Sequence, residues 1–152
     1  MKKYLLLFAF SALALSSCED DDIQNYELDM LKGEWKATKS EVVSGKDLKT
    51  VISTDTPTGC SAKSTAEFRI DYYAAYTAVT GVGATCTSSK TEGKYSYDAE
   101  EKLLTIQYDN DLPSVYKVLI LSSTEMKLMT MVGNIDQNGD KVIDFTQISY
   151  VR

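Results

Sequence analysis

Beyond Gly33 no window of this chain sustains a 3.6-residue apolar period. Short runs rich in Val, Ile, Thr and Tyr recur instead, each bounded by turn-forming residues, the pattern of a chain that buries itself by pairing strands. The runs predict strands over Glu34–Ser44, Leu48–Thr54, Thr65–Ile70, Ala74–Thr80, Gly93–Tyr97, Lys102–Tyr108, Val115–Leu121, Met126–Val132 and Val142–Val151, with room for one to continue its neighbour around a bend. Turn signals at Asp98–Glu101, at Ser122–Thr124 and at the Asn138-Gly139 pair join consecutive runs as hairpins. A meander of hairpins has two raw edges, and closing on itself removes both. The expected fold is all-β, an antiparallel up-and-down meander closing into a barrel of about eight strands. A short helix over Tyr26–Lys32 precedes it, with Asn25 as N-cap, Leu28 and Leu31 on one face, and Gly33 as the stop.

Two runs break simple alternation. In the last, Ile143 and Phe145 fall on one parity and Ile148 and Tyr150 on the other, which calls for a bulge near Thr146 or burial on both faces. In the first, Lys39 and Glu41 share the parity of Trp35, which makes the far half of that strand polar inside.

The N-terminus carries a different message. Met1-Lys2-Lys3 followed by the mostly apolar stretch Tyr4–Leu15 has the layout of a secretory signal peptide, too short for a membrane span of about 20 residues. Leu15-Ser16-Ser17-Cys18 then supplies an aliphatic residue, two small ones and a thiol, the pattern of a bacterial lipobox. Residues 1–17 are expected to be removed and Cys18 to carry lipid. Glu19-Asp20-Asp21-Asp22 must stay solvated, so residues 18–25 are expected to form an acidic tether. The same four acids resemble the export signal that takes some lipoproteins to the outer surface. The expected location is the outer membrane, lipid-anchored and facing out, with residues 26–152 as the folded domain.

Charge and residue usage exclude several functions. Loss of Lys2 and Lys3 leaves 14 basic against 22 acidic side chains, so nucleic acid is not an expected partner. There is no histidine, which removes His-based triads, His metal ligands and imidazole acid–base chemistry. With Cys18 lipidated, Cys60 and Cys86 remain in an oxidising compartment and are expected to form a disulfide.

Three motifs bear on chemistry. Asp136, Asn138, Asp140 and Asp144 match positions 1, 3, 5 and 9 of a calcium loop, but Lys141 and Gln147 stand where glycine and an acid belong, so a solvated hairpin tip is expected and no metal. Gly81-Val82-Gly83 opens like a dinucleotide fingerprint, yet Cys86 occupies the third glycine position, which leaves a flexible turn and no cofactor. Tyr72, Tyr73, Tyr76, Tyr95, Tyr97 and Tyr108 either line a cavity or serve as ordinary sheet residues. The serines lack an obvious base, paired carboxylates for glycoside chemistry cannot be picked from 22 acids without geometry, and no catalytic residue is assigned.

Leu31-Lys32-Gly33-Glu34-Trp35 resembles the Gly-x-Trp start of lipocalins, and the lipobox, acidic linker and later strands around Glu92–Tyr97 and Leu103–Ile106 are similar to the lipocalin-like domains of small bacterial surface lipoproteins. The resemblance covers most of Tyr26–Arg152. It implies a calycin-type barrel whose base is plugged by Trp35, with Gly33 allowing the turn into the strand and Arg152 or Arg69 packing over the indole. It further implies non-enzymatic binding of a small apolar or amphipathic ligand. The alternative is a structural or interaction protein of the cell envelope, protein-binding or inhibitory, with a filled barrel core.

Overall fold

The computed structural model describes residues 20–152 except Asn134. A helix, α1 (Asp20–Leu31), leads into β1 (Gly33–Val43), β2 (Val51–Asp55), β3 (Thr65–Phe68), β4 (Tyr73–Val82), β5 (Thr85–Asp98), β6 (Leu103–Tyr108), β7 (Ser114–Leu121), β8 (Glu125–Thr130) and β9 (Phe145–Val151). From β3 to β9 each strand pairs antiparallel with the next, and β9 returns to β1, so the sheet closes. One edge of β1 carries β9 along Lys36–Val43. The other carries β3 at Gly33–Lys36 and β2 at Ser40–Val43. β2 and β3 are therefore one barrel strand, interrupted by residues 56–64, and the closed antiparallel barrel has eight strands, as the hairpin pattern predicts.

α1 differs from expectation at its start. It begins at Asp20 and takes Asn25 into its body, so the expected tether is shorter and Asn25 is not a cap. Acidic residues suit the first turn of a helix, where free backbone N–H groups carry partial positive charge. Cys18 and Glu19 lie outside the described residues. Among the described residues no helix is long and apolar enough to cross a membrane.

The helix meets the barrel at one end and closes it. Leu31, Trp35, Phe68, Leu104 and Met126 are fully buried there, and Leu28 packs against them. Trp35 Nε1 donates to Leu31 O at 2.7 Å, satisfying the indole as it enters the core. The helix is latched by Glu27, which accepts from Tyr97 Oη at 2.5 Å and from Lys102 Nζ at 2.6 Å.

Register resolves the two parity breaks. Ala37 faces Tyr150, but the next pair is Lys39 with Ser149, so Thr38 is an extra residue in β1. Directly opposed residues share a face. Trp35 and Ala37 thus point inward with Ser40 and Val42 beyond the bulge, while Lys39, Glu41 and Val43 are turned outward. The expectation of a polar interior at Lys39 and Glu41 is overturned by that single bulged residue. β9 itself has no bulge near Thr146. Ile148 and Tyr150 face the interior, and Gln147 is buried on the outer wall beside Glu41, where its amide donates to Leu48 O at 3.1 Å. Glu41 is buried among its partners: Lys39 Nζ lies at 2.8 Å and Lys127 Nζ at 3.4 Å.

The Asn138-Gly139 signal does not make a two-residue hairpin. β8 ends at Thr130 and β9 starts at Phe145, so the pair lies inside a long connection. Asp136 organises that loop: Oδ1 accepts from Gly139 N at 2.7 Å and Asp140 N at 3.1 Å, and Oδ2 from Lys141 N at 2.7 Å.

Candidate functional site: a cavity behind a gap in the barrel wall

The interruption between β2 and β3 has a spatial consequence. The edge of β1 at Ala37–Lys39 has no strand partner among the described residues, and β4 beyond Thr77 pairs only with β5. The wall is open between them. Behind the gap is a cavity of about 260 Å³. Trp35 forms its floor, Ala37, Ala66, Ile148 and Tyr150 its walls, and Tyr76 and Asp55 stand at its lip with Pro57, Ser61 and Ser64.

Residues 56–64 form a flap over the gap, pinned at two points. Cys60 is bonded to Cys86 of β5, as expected from the sequence, with the Cα atoms 5.6 Å apart. Ser64 Oγ accepts from Val79 N of β4 at 2.9 Å. Between the pins runs a single turn of 3-10 helix, Ser61–Lys63.

Four tyrosines converge on the interior. Tyr76 shares its face with Ala66, Tyr108 with Gly93, Tyr116 with Leu104, and Tyr150 with Met126 and Ala37. Burial pushes the Tyr108 phenol up to about 12, and the neighbouring Tyr116 and Tyr76 add to the shift. Burial also raises Tyr150, again with Tyr116, Tyr108 and Tyr76 beside it. Among the described residues none of the four hydroxyls has a hydrogen-bond partner, which leaves donors and acceptors available to whatever occupies the space.

Of the tyrosines singled out in sequence, Tyr76 and Tyr108 belong to this group. Tyr95 and Tyr97 face inward lower down and are satisfied by Arg69 O at 2.8 Å and by Glu27. Tyr73 is on the outer face, where it donates to Glu92 Oε1 at 2.6 Å, and Tyr72 lies half-exposed in the turn before β4. Tyr116 and Tyr150 complete the group. Their only sequence signal is parity relative to Leu104 and Met126, which needs the strand register.

At the closed end, the Arg152 guanidinium carbon lies 4.6 Å from the Trp35 ring centroid, and its nitrogens donate to the carbonyls of Lys32 and Ser123. Arg69, the other candidate, stacks on Tyr73 at 3.7 Å. Gly33 has φ +130°, and a Cβ there would come within 2.9 Å of Arg152 Nη1. Asp20, Asp21 and Asp22 of the expected export signal lie in α1.

The oxygens of the calcium-like loop are engaged internally. Asn138 Oδ1 accepts from Asp140 N, Asp140 accepts from Val142 N and pairs with Lys46, and buried Asp144 accepts from Gly45 N at 3.1 Å and Gln137 N at 2.7 Å. No group of three His, Cys, Asp or Glu suited to a metal occurs among the described residues.

No curated protein matches the chain in sequence. Among solved structures, a bovine odorant-binding protein (deswapped triple mutant) is similar at 12% identity and TM-score 0.41, over 81% of this chain and 74% of that one. The bovine lipocalin allergen Bos d 2 is similar at 13% identity and TM-score 0.43, over 82% and 74%. Aphrodisin, a sex pheromone from female hamster, is similar at 10% identity and TM-score 0.39, over 80% and 74%. The profile of the lipocalin-like domain matches residues 31–128, well over half the chain, from the helix end before Trp35 to β8, and on that match this chain belongs to the lipocalin-like domain family.

Proposed function

We propose that this chain is a lipid-anchored lipoprotein, exposed at the cell surface, whose barrel holds a small apolar or amphipathic ligand without transforming it. One observation carries the reading: a cavity of about 260 Å³ behind the β2–β3 gap, with aromatic and aliphatic walls and unpartnered phenols. Small-molecule sites are typically concave, mostly apolar and marked by a few convergent polar groups. A core filled along its whole length would leave no such room, so the cavity favours a carrier over a purely structural protein. Lipocalin-like domains are typically non-enzymatic binding modules, and the family supports this reading.

The anchor is read from Leu15-Ser16-Ser17-Cys18. A lipid on Cys18 would tether the closed end of the barrel, where α1 packs, and direct the opposite end away from the bilayer. Native mass spectrometry of protein purified from its own host tests the binding role. The expected result is a small-molecule adduct that denaturation releases. A homogeneous ligand-free mass, together with no uptake of the neutral probe N-phenyl-1-naphthylamine, would overturn it.

A further inference from the structure

We infer that the ligand of this cavity is a cationic amphiphile, an amine or ammonium group on an apolar body, with its head between Asp55 and the rings of Tyr76 and Tyr150. The inference rests on the binding role proposed above and narrows it to one charge class. Asp55, the last residue of β2, pairs with Ser40, and Ser40 shares its face with Ile148. The carboxylate therefore stands on the cavity side of the sheet, where the barrel strand breaks off, and it lines the cavity.

Its surroundings are selective. Among the described residues the Asp55 carboxylate has no salt bridge and no hydrogen bond, whereas Glu41 and Glu27 are each held by lysines. No Lys or Arg lines the cavity. The flap's own cation, Lys63, extends to Cys86 Sγ at 3.8 Å. Aromatic faces carry a negative quadrupole and attract cations, most strongly where water is partly excluded. An unpaired carboxylate beside two such rings therefore presents negative potential from two chemically different sources. An amine is drawn by both, and its apolar body fits against Trp35 and Ile148. A carboxylate head group would meet Asp55 and the ring faces with no compensating cation.

Isothermal titration of the full chain with three matched probes tests this: 4-phenylbutylamine, 4-phenylbutanol and 4-phenylbutyrate at neutral pH. The amine is expected to bind roughly tenfold more tightly than the alcohol, and the acid more weakly than either. In Asp55→Asn, whose exposed position makes the fold tolerant, the amine-to-alcohol ratio is expected to collapse towards one at unchanged Tm. An acid that binds as well as the amine, or a ratio unchanged in Asp55→Asn, overturns the cation preference, while alcohol binding then leaves the cavity's carrier role standing. Binding by none of the three overturns both.

Discussion

Arg152, one residue beyond the last strand, stacks its guanidinium on Trp35 near the start of the first, 4.6 Å from the ring centroid, and so ties the first strand to the last at the closed end of the barrel. The same guanidinium donates to Lys32 O and Ser123 O. Arg152→Ala is expected to lose the stacking and both hydrogen bonds, a destabilisation of about 1–3 kcal/mol. Arg152→Lys should rescue little, because a point charge lacks the planar fork. Trp35→Ala should cost about 3–5 kcal/mol through the cavity it leaves. Urea denaturation followed by circular dichroism measures all three. A Trp35→Ala barrel as stable as the parent would show that the indole does not hold the closed end.

Reduction of Cys60–Cys86 should free the flap at one of its two pins. The chain-entropy model assigns roughly 3–4 kcal/mol to a crosslink of this span. The flap packs on the rim and not in the closed-end core, so the barrel should stay folded while residues 56–64 open more often. Amide hydrogen exchange is expected to accelerate there and not in β6 or β8. Uniform acceleration throughout the barrel would contradict that localisation.

The Glu27 latch makes a separate prediction about α1. Glu27→Gln removes the ion pair with Lys102 and weakens the bond from Tyr97, at an expected cost of about 1–2 kcal/mol. Tyr97→Phe should cost less, since it leaves the ion pair intact. Both should increase exchange in α1 before any loss of barrel protection.

Acid should weaken the rim first. Hydrogen bonds from the Thr50 side chain and backbone, and then from Lys49 N, hold the Asp47 carboxyl down to about 2 from an ordinary 3.8. Glu41 is lowered as well, by the hydrogen bond from Lys39 and then Lys127, against the opposing effect of burial. Both folded-state values lie below the unfolded ones, so their stabilisation is complete above the unfolded pKa and is lost as pH falls through the folded one. For Asp47 the window runs from roughly 4 to 2. Tm measured from pH 5 to pH 2 should therefore fall less steeply in Asp47→Asn than in the parent protein. Parallel curves would remove Asp47 from the account.

Cys18→Ala is expected to release the protein from membranes, because only acylation would hold an acidic β-domain on a bilayer. Fractionation with palmitate labelling decides this. A variant that still pellets and still takes label would refute the lipobox, and unchanged protease shaving after replacement of Glu19, Asp20, Asp21 and Asp22 by alanine would refute the export role of those acids.

Much of the molecule follows from local chemistry alone. The turn residues at Asp98–Glu101 and Ser122–Thr124 suffice to make consecutive runs antiparallel neighbours, and with Cys18 set aside as the expected lipid-bearing residue, Cys86 is the one expected disulfide partner of Cys60. The Gly33-x-Trp35 start likewise carries its own geometry, since a positive φ favours glycine. What residues face, in contrast, depended on partners far away in sequence. Thr38 is bulged only because Ala37 and Lys39 register against consecutive residues of β9, and that one insertion exchanges the inside and outside of β1. The break between β2 and β3, the gap it leaves and the convergence of Tyr76, Tyr108, Tyr116 and Tyr150 arise in the same way. A strand's side chains alternate by a local rule, but which face becomes the interior is settled only when the sheet closes and each register is locked by its neighbours.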